Sequence, residues 1–256
     1  MLLADARLPT GGHAYSAGVE PALRGGLPPE RIREYLIGRA GTVTRTEAGT
    51  AAVARAVLST GSRSGPERSM SASQRSLSLS QRSLSLSQRS LSLSQRSLSL
   101  SKGDAADRVQ AAWAARTPAP ALREASIAQA RGYLRFARSQ WPEHPALAAV
   151  DQMAAAPCRP VVLGAVAVAA GIAAPDLVRL AIYDDAATAC AAVLKLEPQD
   201  PAVVSGWVLD ACAAGEPFVA ALAALTDPDA IPAPGAPQTE EWAQAHAVMT
   251  QRLFRA

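Results

Sequence analysis

The stretch Val161-Val162-Leu163-Gly164-Ala165-Val166-Ala167-Val168-Ala169-Ala170-Gly171-Ile172-Ala173-Ala174 decides the fold class. Its 14 residues carry no charge, yet they fall short of the roughly 20 needed to cross a bilayer. The run therefore reads as a helix buried in a protein core. Pro160 stands at its start, where the missing amide hydrogen costs nothing, and Pro175-Asp176 opens the next segment in the same way. That segment carries Leu177, Leu180, Asp184, Ala187, Ala191 and Leu194 at helical spacing and ends near Leu196-Glu197-Pro198.

Outward from this centre the helical punctuation repeats. Asp200-Pro201 is a cap followed by proline at the first helical position and opens a helix running to Cys212. A further helix is expected near Pro217 to Leu225. Four prolines and a glycine make 226–238 a loop, and Thr239 is expected to cap a last helix whose face carries Trp242, His246, Met249 and Leu253. Toward the N-terminus, Pro28-Pro29-Glu30 opens a long helix through Ile32, Tyr35, Leu36, Val43, Val53 and Val57, weakened at Gly38, Gly41 and Gly49. Helices over 104–115, from Thr117-Pro118 to the stop at Pro142, and over 145–156 complete the series. Composition agrees: 49% of the 256 residues are hydrophobic but only 4% aromatic, and the alanine and leucine behind that excess favour helices over strands. The expectation is an all-α chain, a single helical domain of eight to ten helices.

One segment stands apart. From Ser73 to Leu100 the heptad Ser-Gln-Arg-Ser-Leu-Ser-Leu is repeated four times, and its leucines are spaced two and five apart instead of the three and four of a coiled coil. Such a serine-rich, arginine-bearing run buries too little apolar surface to offset its ordering entropy. Residues 61–103 are therefore expected to be a disordered low-complexity insertion between an N-terminal part, 1–60, and the remainder, 104–256. The formal charge of +3 comes from this segment, which holds six arginines and Lys102 against Glu67 alone. The rest of the chain is net acidic and shows no basic stripe interleaved with aromatics, so nucleic acid is not an expected partner. The N-terminus lacks the pattern of a secretory signal, and cytoplasmic residence without a membrane is expected.

Chemistry-bearing motifs are sparse. No phosphate-cradling G-x-x-x-x-G-K-[ST] loop is present. Cys158, Cys190 and Cys212 lie 32 and 22 residues apart without a close pair; they read as buried free thiols, with a nucleophile or metal ligand as the other reading. His13, His144 and His246 lack metal-ligand spacing. Asp184 and Asp185 point about 100° apart on a helix, so they form no pincer. Asp184, in an apolar row, is expected to hydrogen-bond a neighbouring helix, with catalysis as the alternative.

The informative segment is Leu2-Leu3-Ala4-Asp5-Ala6-Arg7-Leu8-Pro9-Thr10-Gly11-Gly12-His13-Ala14-Tyr15-Ser16-Ala17-Gly18-Val19-Glu20. It resembles the opening of the UreF family of urease accessory proteins: a Leu-Pro-[Val/Thr]-Gly turn followed by aromatic-Ser-x-Gly-Leu-Glu. Val19 replaces the leucine, and His13 stands where an aromatic is common. Ala192-Val193-Leu194-Lys195-Leu196-Glu197-Pro198 resembles the family's basic-Leu-x-Pro element, although Gln199-Asp200 replaces its Leu-Gly. The end, His246 through Arg252-Leu253-Phe254-Arg255-Ala256, is similar to the family's His-x-x-x-x-x-Arg-Leu-Phe-Arg-Ser terminus.

The resemblance implies a non-catalytic adaptor with no cofactor, a homodimer that joins UreD (also called UreH) to the GTPase UreG and couples GTP hydrolysis to nickel delivery into apo-urease. It nominates Ser16, Gly18, Glu20, Lys195, Arg252, Phe254 and Arg255 as partner-binding residues. Glu20 and Lys195, beside turns and expected to face solvent, match family positions on the GTPase face; a surface salt bridge between them is the plainer reading. Arg252, Phe254 and Arg255 combine an apolar anchor with guanidinium groups, as interface centres do. The other reading packs Phe254 into the chain's own core. A nickel-binding metallochaperone, an all-α enzyme and a helical regulator are the alternatives, and equilibrium dialysis with nickel separates the first from the adaptor.

Overall fold

The computed structural model describes residues 14–59 and 101–254. The repeat at 73–100, the N-terminal motif up to His13, and Arg255 lie outside the described residues. All regular structure within them is helical: α1 (Val19–Arg24), α2 (Ile32–Gly41), α3 (Val43–Ser59), α4 (Lys102–Ala115), α5 (Pro120–Gln140), α6 (Pro145–Asp151), α7 (Arg159–Ala169), α8 (Ala174–Leu196), α9 (Pro201–Gly215), α10 (Val219–Ala223) and α11 (Pro237–Ala247). Only Thr42 separates α2 from α3, and a 3₁₀ turn links α9 to α10. Taking each pair as one bent rod gives nine helices among the described residues, within the expected range.

The apolar stretch is the core helix that its composition implied. Every residue from Arg159 to Ala167 in α7 is buried. α7 packs against α3, and Gly164 sets how closely the two approach. A Cβ there would fall 2.6 Å from the Ala54 Cβ and 2.7 Å from the Arg55 backbone nitrogen. The largest apolar cluster gathers round this crossing with Leu58, Val109, Trp113, Leu147 and Leu177. A second cluster joins α1 and α2 to α8 and α9 through Val19, Ile32, Leu36, Val193 and Val204.

Several boundaries differ from the expectation for physical reasons. Ser101 accepts the Asp104 amide while Asp104 accepts the Ser101 amide, a capping box that starts α4 at Lys102, inside the segment assigned to the insertion. Asp200 does cap α9, accepting the Ala202 amide. Thr239 is no cap: Pro237 takes the first helical position and buries Thr239 inside α11. The face that extended to Met249 and Leu253 ends at Ala247, because the chain then leaves the helix toward Glu20. In α8 the row Leu177, Leu180, Asp184, Ala187, Ala191, Leu194 is buried only at its start. The stripe drifts to Ala186, Ala189, Cys190 and Val193, leaving Leu194 exposed.

Among the described residues one helical stretch, Pro201–Ala223, is long and apolar enough by length and composition to cross a membrane. Its α9 portion gives Val204, Ala211 and Gly215 to the interior, while Val203 and Leu209 stand exposed.

Candidate functional site

The residues nominated at the two ends of the chain meet. Ser16-Ala17-Gly18 leads into α1 through two successive left-handed residues, Ala17 at φ 48° and Gly18 at φ 81°. Glycine suits the second position doubly: φ is positive, and a Cβ would sit 2.5 Å from the Tyr35 hydroxyl oxygen. Tyr35 donates that hydroxyl to the Ala17 carbonyl at 2.9 Å. This turn delivers Glu20 into the interior, where it is 0% exposed.

Glu20 therefore does not face solvent, contrary to expectation. Its carboxylate accepts the Leu253 amide at 2.7 Å and the Phe254 amide at 2.9 Å, and lies 3.0 Å from His246 Nε2 on α11. Arg24, one turn along α1, donates to the same group at 2.9 Å. A buried carboxylate survives only when its oxygens are filled in this way. Burial raises the Glu20 pKa, but the Leu253 and Phe254 amides, with His246, outweigh it and hold the carboxyl below its ordinary value.

The chain end so held is an irregular strap after α11. Phe254 is buried in the second apolar cluster, as the core-packing reading of that residue had it, with the Lys195 ammonium 5.3 Å from its ring centroid. Lys195 and Arg252 are exposed, as is Leu253 at 63%. Glu20 and Lys195 thus form no surface pair: one is buried under the strap and the other lies over Phe254. Ser16 is buried, and its Oγ, like His246 Nδ1, has no hydrogen-bond partner among the described residues.

Behind the strap, His246 also lines a cavity of about 100 Å³ shared with Arg39, Glu47, Arg159, Asp185 and Glu240. The expected bond from Asp184 to a neighbouring helix is present twice over, to Tyr133 on α5 at 3.0 Å and to Arg159 on α7. Asp185 turns the other way, accepting Arg39 Nε at 3.0 Å and the Thr44 hydroxyl at 2.7 Å. Glu47 accepts the Trp113 indole at 2.6 Å and lies 3.5 Å from Arg159. Burial pushes Glu47 above its ordinary value and Tyr133 up to about 12. For Asp185 burial acts in the same direction, but the Arg39 charge outweighs it and the carboxyl sits low.

The ion pairs of the buried Arg39 and Arg159 were missed in the sequence, though a signal existed. Arg39 follows Ile32 and Leu36 at i+7 and i+3, on the same buried face. The thiols are not activated: burial raises Cys158 well above its usual value and Cys190 to about 12. No group of three or more metal-ligating side chains occurs among the described residues.

Comparison with known proteins gives the family. The UreF family profile matches residues 29–212, most of the chain. The chain belongs to the UreF family. Urease accessory protein UreF of Mycobacterium marinum is 31% identical over 264 residues, covering 99% of this chain and 96% of the relative. The UreF of Mycobacterium sp. (strain JLS) is 32% identical over 217 residues, 83% of this chain and 80% of its own length. That of Mycolicibacterium vanbaalenii is 34% identical over 214 residues, 80% and 77%. For a UreF-family chain the profile spans α2 to α9 and stops short of both Glu20 and the strap.

Proposed function

We propose that this protein is a non-catalytic urease maturation factor, a cytoplasmic scaffold that joins UreD and the GTPase UreG and couples GTP hydrolysis to nickel insertion into apo-urease. The observation that carries the reading is membership of the UreF family, with relatives named urease accessory protein UreF matched along 80%, 83% and 99% of the chain. The strap supplies a surface suited to the role. Arg252 and Leu253 project outward from a segment anchored by Phe254, an exposed apolar and guanidinium pair of the kind that centres interfaces. The strap is the UreD-binding element in this reading, and Lys195 lies beside it. A homodimer forms by covering the outer face of α9, where Asp210 is the one charged residue between Pro201 and Gly215 and Leu209 is 71% exposed.

Mixing the purified protein with UreD of the same source and resolving the mixture by gel filtration with light scattering tests the assembly. The expected result is a stoichiometric complex containing two copies of this chain. It disappears when Leu253 to Ala256 are removed, while circular dichroism stays helical. Undiminished binding by the truncated chain excludes the strap as the contact.

A further inference from the structure

We infer that Glu20 is a positioning residue for partner binding: from inside the fold its carboxylate sets the strap in the shape that a partner meets. This rests on the reading of the strap as the UreD-binding element.

The geometry separates two ways in which Glu20 could matter. A contact residue needs accessible atoms, and Glu20 has none, being 0% exposed. What it has is a set of donors from three parts of the chain: Arg24 on its own helix, His246 on α11, and two consecutive amides of the strap. The strap after Ala247 has no helical ladder to fix its backbone, so the Leu253 and Phe254 amides depend on this carboxylate for partners. Hydrogen bonds to a charged acceptor are about twice as strong as neutral ones, and both would be left unsatisfied or weakened together if the charge were lost. Phe254, in the same apolar cluster as Val19 and Val193, holds the same segment from its apolar side. Leu253, between Arg252 and the buried Phe254, is exposed, and its own backbone nitrogen donates a hydrogen bond to Glu20.

A binding surface present in only a fraction of molecules binds with an apparent affinity reduced by that fraction. Loosening the strap therefore weakens partner binding without removing any atom that the partner touches. Glu20→Gln keeps the size and removes the charge. Its effect is read by amide hydrogen exchange and proton shifts of Leu253 and Phe254, by the urea midpoint of the whole fold, and by affinity for purified UreD. The expected result is lost protection at these two amides and an affinity lower by about tenfold or more, with core amides of α7 still protected.

Two substitutions repeat the test from the strap side with Glu20 in place. Leu253→Pro removes the amide donor but also fixes φ and restricts Arg252, whereas Leu253→Ala keeps the donor while removing the side chain. Weaker binding by the first than by the second is expected, and Glu20→Gln, which leaves the strap's own residues unchanged, separates the hydrogen bond from the proline's backbone restriction. Retained protection in Glu20→Gln, or equal affinities for Leu253→Pro and Leu253→Ala, overturns the positioning role alone. Full binding by the chain lacking Leu253 to Ala256 overturns the underlying reading of the strap instead.

Discussion

Two carboxylate clusters organise this molecule, and they tie down different things. Around the cavity, Asp184, Asp185 and Glu47 face Arg39 and Arg159, and each partner sits on a helix. At the chain end, Glu20 faces backbone amides of a segment with no regular structure. The first cluster cannot open without parting α2, α3, α7 and α8. The second can open by peeling back a few residues. Similar chemistry therefore yields a cooperative fastening in one place and a local one in the other, and local openings are the ones on which binding elements are built.

The contrast is sharpest at Arg159. Arg159→Ala leaves the partly buried Asp184 and Glu47 without their cation and is expected to cost about 3 kcal/mol of global stability, the lower end for breaking a buried pair, measured by urea unfolding followed by circular dichroism. A cost under about 1 kcal/mol, the range of an exposed pair, would mean that the network is solvated and that the distinction between the two clusters fails.

Next in size is Gly164→Ala. The added methyl would meet α3 backbone as well as the Ala54 Cβ, so relief requires the two helices to separate. The expected loss is about 1–3 kcal/mol, again global, with the strap amides losing protection only as the whole fold does. A neutral effect would show that the crossing of α3 and α7 yields easily.

The smallest effect is on the strap under acid. The Glu20 pKa is lowered from an ordinary 4.5, so its stabilisation is complete above that value and is lost as pH falls through the lower folded value. The Leu253 and Phe254 amide resonances should move together with a midpoint below 4.5, while the α7 amides hold their positions. Asp185, also lowered, is fastened by Arg39 on a helix. Simultaneous movement of strap and core resonances would merge the two clusters into one cooperative unit.

How much of this was legible in the sequence follows from the same contrast. Helices were readable because proline at first turns and Asp200 at a cap act within a few residues of chain. The burial of the 161–167 run was readable from its composition. The meeting of Glu20 with Leu253 spans 233 positions, and no local pattern announces it. Exposure was misjudged for that reason: a glutamate beside a turn reads as solvent-facing until the strap is laid over it. Lys195, over Phe254, could not be read as its neighbour either, since only the fold of α8 against the chain end brings them together. Asp184 was the exception, because an acidic residue in an apolar row requires a partner wherever that partner lies.

The most direct test of the account is activation of purified apo-urease by UreD, UreG, nickel and GTP, with and without this chain. The account predicts that urease activity rises with the chain present and falls when GTP is withheld or Leu253 to Ala256 are removed. Equal activation with and without the protein would contradict it.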